Sequence, residues 1–407
     1  MYQFPYRPRP PQSCGECAFL PDCGGLDGPA YAHGCFRRCV EKCQFAGCDM
    51  ACPCLHLTFP DRLEEAGGLW APPERKLVPF VNCNTLPLYI AQIDHGSCRD
   101  TPLDVPAVVI PLSAIVGRRR NGKYDVRFSS PEALRERLRI GKDCEIIVSS
   151  IAPDQVIEDF WESHVSRSIL PKIANLQLRG MTVPNYSFML DVPRINSIYN
   201  VSRMFRVAER MSEAGIPTIL HIQASTRYDW ARWKDVLREE VGCSTIAAEF
   251  ETGPSTKPIG NAYFAGLADL QQGVGRPLHL IAVAGAGRLR EMRTTFNSLT
   301  IVDSTPFLKT VHRQKLIRIA LLKWKWRPNL TKPGETLSDL LRWNVDAQAE
   351  RIREIAFSSA DLLRQHLSRL QSPNNQKKEP QPIGPAPHMT SLPSSPLPAG
   401  SPQATVQ

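Results

Sequence analysis

Cysteines crowd the start of the chain: nine of its 13 cysteines fall within the first 54 residues. They are Cys14, Cys17, Cys23, Cys35, Cys39, Cys43, Cys48, Cys52 and Cys54. Thiolates at such short spacings, with glycines that let the backbone wrap an ion, are typical of zinc or iron–sulfur sites. The Cys52-Pro53 step favours an iron–sulfur cluster slightly, and a zinc site with a purely structural role stays open. A disulfide-rich module and unliganded thiols are the remaining alternatives.

A second set of chemically useful residues follows a series of short apolar segments between 144 and 303. These residues are Ser149, Ser150, Asn185, Tyr186, His221, Gln223, Glu249, Glu251, Gly285 and Asp303. Carboxylates in such a set can act as nucleophile or as general acid and base, and the amides and hydroxyls can hydrogen-bond a substrate. Asp303 has a simpler alternative, because an aspartate just before Thr305 and Pro306 can cap the next helix.

The spacing of the apolar segments predicts the fold that would bring these residues together. From about residue 144 the pattern alternates between continuous apolar runs and amphipathic helices, giving six strand–helix units after two or three earlier strands. Apolar strands between helices indicate a parallel sheet that is covered on both faces. We therefore expect an α/β fold, a TIM-like (β/α)8 barrel, with an open doubly wound sheet as the alternative. In such a barrel, active groups lie at the carboxyl ends of the strands.

Composition divides the chain into five segments. We expect a cysteine-rich metal-binding module at 1–56, a linker at 57–77, the barrel at 78–315, a helical extension at 316–370 and a disordered proline-rich tail at 371–407. Hydrophobic residues make up 42% of the chain, which suits a soluble core, and no apolar run is long enough for a membrane span. Without an apolar leader at its start, the sequence predicts a cytoplasmic protein.

The charge favours a polyanionic partner. The formal net charge is +9, and part of the excess lies in local groups. These groups are Arg118 to Arg120; Lys323, Lys325 and Arg327; and Lys377 with Lys378. Basic groups of this size fit nucleic acid, DNA or tRNA, although a solvated surface with a mild excess would look the same.

The segment HLIAVAGAGRLREM…LTIVDSTPF, 279–307, resembles the closing part of tRNA-guanine transglycosylases and their DNA-modifying 7-deazaguanine relatives. The resemblance implies that Asp303 is the nucleophile that takes the ribosyl carbon, and that Gln223, in HIQAS, reads the base edge. Asn185 and the pair Ser149–Ser150 stand where that family carries acids. The segment from Val183 to Leu220 is also similar to an uncharacterised bacterial and phage family.

The resemblance implies a pentosyltransferase or glycosylase that exchanges or removes a guanine or 7-deazaguanine base. On this interpretation Glu249 or Glu251 moves the proton of the departing base, and Asn185 with Gln223 holds the base edge. Two alternatives from other classes stay open. One is a non-catalytic nucleic-acid-binding protein on a degenerate barrel, and the other is a redox enzyme whose iron–sulfur clusters serve a substrate in the barrel mouth.

Overall fold

A computed structural model describes residues 59–357, apart from 69–70, 82, 189–193, 252, 256 and 333. The predicted metal module at 1–56, with all nine of its cysteines, and the predicted tail at 371–407 therefore lie outside the described residues. Among the helices of the described ranges, none combines the length and the apolar character that crossing a bilayer requires.

Twelve strands occur in the described chain. They are β1 (Tyr89–Gln92), β2 (Ala107–Pro111), β3 (Val116–Arg118), β4 (Tyr124–Val126), β5 (Glu145–Ser149), β6 (Gly180–Thr182), β7 (Thr218–His221), β8 (Thr245–Glu249), β9 (His279–Val283), β10 (Ser298–Asp303), β11 (Gln314–Ala320) and β12 (Lys323–Pro328). The α-helices of the same ranges are α1 (Phe59–Glu65), α2 (Leu112–Ile115), α3 (Pro131–Leu138), α4 (Asp154–Ser163), α5 (Ile169–Ala174), α6 (Arg194–Glu213), α7 (Arg227–Glu239), α8 (Lys257–Val274), α9 (Leu289–Thr295), α10 (Thr305–Val311) and α11 (Ser338–Phe357).

Eight of the strands form a closed parallel barrel. Going round the ring, β1 is followed by β2, β5, β6, β7, β8, β9 and β10, and β10 pairs with β1 to close it. The barrel prediction is thereby confirmed, and the open doubly wound sheet is wrong. The strands are almost wholly buried because helices cover their outer faces and side chains fill the lumen. The antiparallel pair β3–β4 is inserted between β2 and β5.

Alternate residues of each strand face two separate apolar clusters. The lumen cluster includes Ile90, Ile147, Ile219, Ala247 and Val302, together with Phe80 at the amino-terminal end. Their neighbours in sequence, such as Leu220, Ile246 and Ile301, belong to the larger cluster between the barrel and the helices. Because side chains alternate between the two sides of a strand, these memberships assign a side to every position along the barrel strands.

The predicted linker and the predicted C-terminal extension differ from the structure. Within 57–77, α1 occupies Phe59–Glu65. Between 316 and 328, the prediction of helix is wrong: β11 and β12 form an antiparallel hairpin, and a helix, α11, begins only at Ser338. In KWKWRP, residues 323–328, cations and tryptophans alternate, and a period of two is the pattern of a strand.

The hairpin and α11 add a layer outside β10 and β1. The amide of Asn344 on α11 donates to the hydroxyl of Thr310, at the end of α10, over 2.8 Å. One turn later, Gln348 donates to Asp303, which precedes α10, also over 2.8 Å. Successive contacts thus move from the end of α10 towards its start, so α11 runs antiparallel to α10 and points to the carboxyl end of the barrel.

Candidate functional site at the carboxyl end of the barrel

Polar side chains replace apolar ones in the upper part of the lumen. Two positions beyond each lumen residue, the same side of the strand carries a polar group. The resulting layer comprises Gln92 and Asp94 after β1, Ser149 on β5, Thr182 on β6, His221 and Gln223 at the end of β7, and Glu249 and Glu251 at the end of β8. Five of the ten predicted site residues, namely Ser149, His221, Gln223, Glu249 and Glu251, therefore share the lumen side at the end where parallel-barrel enzymes carry their chemistry.

His221 is the most deeply buried polar group of this layer. It pairs in register with Ala247 of β8 and lies two residues beyond Ile219, so its ring enters the lumen. The side chain is 1% exposed, and neither ring nitrogen has a hydrogen-bond partner. Burial lowers the pKa of His221 from its ordinary value to about 3, so the imidazole is neutral at pH 7. A neutral imidazole offers one donor and one acceptor, and both are left open here.

Gln223 lies two residues further along the same side and is half-buried. Its side-chain oxygen has no hydrogen-bond partner, whereas its backbone carbonyl accepts from the indole of Trp233 over 2.7 Å. The backbone is thus fixed against α7 while the amide keeps an open acceptor. Since buried polar groups are normally paired, two such residues on one strand end indicate a place where a polar ligand would complete the hydrogen bonding.

Carboxylates gather above this pair. Glu249 is 7% exposed, and its carboxylate accepts the backbone N–H of Glu251 over 2.6 Å. Glu251 reaches solvent, yet its pKa is raised, first by partial burial and then by the negative charges of Glu249, Asp303 and Asp94. A carboxyl group whose charged form is disfavoured by its neighbours is suited to hold and donate a proton.

Asp303 lies on the other side of its strand. Its backbone pairs with Ala91, and both follow the outward-facing series of Ile301 rather than the lumen residue Val302. One carboxylate oxygen accepts the backbone N–H of Thr305 over 2.7 Å, and the other accepts the amide of Gln348 over 2.8 Å. The carboxylate therefore caps the start of α10 and ties it to α11, which is the alternative that its sequence position also allowed.

Four further predicted residues lie away from the lumen. Tyr186 is fully buried among the helices, its ring edge-on to Trp161 and under the guanidinium of Arg203 at 3.9 Å. The side-chain oxygen of Asn185 accepts the N–H of Ala152 over 3.1 Å and so links two loops. Ser150 follows Ser149 on the outward side.

Gly285 also serves packing rather than the lumen. A Cβ atom built there would come within 2.8 Å of Met292 and 3.0 Å of Ala282, which belong to the outer cluster. The residue before it, Ala284, has a φ of 59°, so the chain turns sharply out of β9 at this point. The backbone rather than any side chain therefore forms the rim of the mouth above β9.

Three residues of the site were not predicted from the sequence: Gln92, Asp94 and Thr182. Ile90, Gln92 and Asp94 alternate along β1 and the residues after it, and Gln92 donates to Asp94 over 3.3 Å. Thr182 accepts the backbone N–H of Ser150 over 2.8 Å. The signal for Asp94 was present in LYIAQID, an apolar alternation that ends in an acid, as at the end of β8.

The described residues contain no group of three or more side chains arranged to hold a metal ion. Their four cysteines, Cys83, Cys98, Cys144 and Cys243, are free thiols. Comparison with protein-family models and with curated proteins gives no match. The transglycosylase resemblance therefore stays a prediction, and the lumen geometry is the main basis for assigning a function.

Proposed function

We propose that the barrel mouth binds a base of a nucleic acid and that its carboxylates act on the N-glycosidic bond of that base. The observation that carries the proposal is His221, a buried lumen side chain with two unpartnered ring nitrogens beneath Glu249, Glu251 and Asp94. Leaving such a group unpaired costs roughly 1–3 kcal/mol, so its retention indicates a ligand that pairs with it.

The character of the layer favours a heterocyclic base over an anion. Neutral His221 and the amide of Gln223 offer both donors and acceptors, as the edge of a base does. The carboxylates accept N–H groups, which a guanine-type edge supplies, and they would repel a phosphate or a carboxylate ligand. A base reaches such a pocket by leaving its stack, as in other proteins that act on bases. DNA or tRNA with guanine or 7-deazaguanine is the substrate that the sequence resemblance implies.

Glu251 is the proton donor in this proposal. Its raised pKa keeps part of the population protonated, and the proton passes to a ring nitrogen of the departing base. The bond between that base and C1′ breaks, and its electron pair stays on the base. Positive charge develops at C1′ and the ring oxygen, where Glu249 and Asp94 stabilise it. Water, or an incoming base, then bonds to C1′ and returns a proton to Glu251.

Asp303 enters the proposal through the resemblance alone, which implies that it bonds C1′ covalently. For that step its carboxylate must leave Gln348 and the N–H of Thr305, and turn from the outer side of the strand into the mouth. These two hydrogen bonds favour a second candidate function, a nucleic-acid-binding protein that holds a base in the mouth without cleaving its bond.

Mass spectrometry of released base distinguishes the two functions. The full chain is incubated with DNA and tRNA that contain guanine or 7-deazaguanine, and the free base is quantified. We expect release or exchange by the native protein and a loss of about 10²- to 10⁴-fold in Glu251→Gln. The matched control is Glu136→Gln, an exposed carboxylate on α3, which should behave as the native protein. Base binding without release supports the second candidate, and neither binding nor release refutes both.

A further inference from the structure

The outward face of the β11–β12 hairpin is strongly basic. In β12 the exposed residues are Lys323, Lys325 and Arg327, and they alternate with the half-buried Trp324 and Trp326. The indole of Trp324 donates to Glu354 of α11 over 2.8 Å, which fixes the tryptophan side against the helix. Because side chains alternate along a strand, the three cations point together to the opposite, solvent side.

The partner strand adds to this face. Lys315 stands directly opposite Arg327, and Ile317 opposite Lys325, so both share the solvent side. The ammonium of Lys315 lies 3.8 Å from the ring centre of Trp343, an indole that is 48% exposed beside the strand. We call this surface, formed by Lys315, Ile317, Lys323, Lys325, Arg327 and Trp343, the ribbon face.

The charge of the ribbon face is uncompensated within the described part of the chain. Neither Lys323, Lys325 nor Arg327 forms an ion pair there. Arg318, on the other side of the hairpin, shows the contrast, since both Glu350 and Glu354 pair with it. The acidic residues of α11 thus neutralise the inner side and leave the outer side to attract an anion.

The hairpin tip lies at the same end of the molecule as the mouth. Helix α11 contacts Asp303, at the carboxyl end of β10, through Gln348, and it contacts the hairpin near its tip through Glu354. Six residues separate Gln348 from Glu354, which is about 9 Å along a helix axis. Since α11 points to the carboxyl end of the barrel, the tip extends beyond the level of Asp303, next to the mouth.

We propose that the ribbon face binds the phosphate backbone of the nucleic acid whose base enters the mouth. The inference rests on the proposed function for the identity of its partner. Cations two residues apart on a strand are separated by about 6.6 Å, a step comparable with that between successive phosphates of one nucleic-acid strand. A two-stranded ribbon also has the width that the major groove of a duplex admits. The half-exposed Trp343 gives an unpaired base a surface on which to stack.

Fluorescence anisotropy tests the ribbon face. The full chain is titrated into a labelled 20-nucleotide duplex, its single strand and a tRNA at salt concentrations between 50 and 200 mM. The variant combines Lys323→Gln, Lys325→Gln and Arg327→Gln. The control combines Lys76→Gln, Arg137→Gln and Lys142→Gln, which are exposed positions outside the hairpin with the same loss of three charges. Urea unfolding checks that each variant is folded.

Each lost phosphate contact reduces the salt slope for a duplex by about 0.9, so three lost contacts make the affinity about 40-fold less salt-sensitive across that range. We expect this change in the ribbon variant and not in the control. A charge-preserving variant, Lys323→Arg with Lys325→Arg, should keep the native slope, which separates charge from strand packing. Equal slopes for the ribbon variant and the control, or binding to anionic lipid vesicles in place of oligonucleotides, would overturn the inference.

The same samples separate this inference from the proposed function. A native protein that binds nucleic acid through the ribbon face yet neither holds nor releases a base would leave the inference standing and the function refuted. Base release from oligonucleotides that does not change in the ribbon variant, with an unchanged salt slope, would do the reverse. The vesicle measurement is included because the hairpin tip exposes Ile319 and Leu321, at 48% and 41%.

Discussion

Replacement of His221 by leucine should make the protein more stable and remove its function. The imidazole is 1% exposed with both ring nitrogens unpartnered. An unpaired buried polar group costs about 1–3 kcal/mol, and an apolar side chain of similar volume removes that cost. We therefore expect His221→Leu to raise the free energy of unfolding at pH 7.5 by about 1–3 kcal/mol, while base binding is lost.

The pH dependence gives a second, independent magnitude. Burial lowers the pKa of His221 to about 3 in the folded protein, from 6.5 in the unfolded chain. Between those values the unfolded chain binds a proton that the folded protein does not, so this residue makes stability fall as the pH falls. From pH 7.5 to 5 the loss is about 2 kcal/mol, at about 1.4 kcal/mol per pH unit. The leucine variant lacks this loss. His164 and His279 are common to both proteins, so their contributions cancel in the difference.

Urea unfolding of the full chain at pH 7.5 and pH 5 measures both quantities. The control is Ile219→Leu, a change of shape one step deeper on the same side of β7, which should cost less than about 1.5 kcal/mol and leave the pH dependence unchanged. A leucine variant that is less stable than the native protein at pH 7.5, or that has the same pH dependence, would refute the reasoning. Either result would mean that His221 is hydrogen-bonded in the native state.

Three other predictions concern the cap of α7, the proton donor and the lumen floor. Asp229→Ala should cost about 1–2 kcal/mol in urea unfolding, because its carboxylate accepts two backbone N–H groups before α7; the exposed Asp235→Ala should cost less, and an equal loss would contradict the assignment. In the native protein, base release should fall as pH rises through the raised pKa of Glu251, and a pH–rate profile of Glu251→Gln that kept this limb would exclude it as the donor. Gly180→Ala places a Cβ 2.4 Å from the ring of Phe80 and should cost about 1–3 kcal/mol; Phe80→Leu should recover part of that loss in a double-mutant cycle, and purely additive losses would argue against the contact.

The barrel and half of its site could be predicted from sequence because their signals are local. Continuous apolar runs between helices predicted the parallel ring, and strand ends gave the carboxyl-end residues. The alternation of Glu249 with Glu251, and of His221 with Gln223, correctly predicted that the members of each pair share one side.

The side that each residue faces could not be predicted with the same success. A shift of one position exchanges lumen and exterior, and only the pairing register fixes that choice. Asp303 and Tyr186 each follow a correctly predicted strand, yet both lie outside the lumen. Gln348, which binds Asp303, is 45 residues away in the sequence, and no local pattern indicates such a contact.

The most direct test of the central claim is the nitrogen-15 NMR spectrum of the full chain labelled at its histidines, with a guanine nucleoside added. His221→Leu identifies which ring signals belong to His221. The account predicts that these signals report a neutral, unpartnered imidazole in the free protein and shift on addition of the nucleoside. Signals that already report hydrogen bonds at both nitrogens, or that stay unchanged while the nucleoside binds, would contradict it.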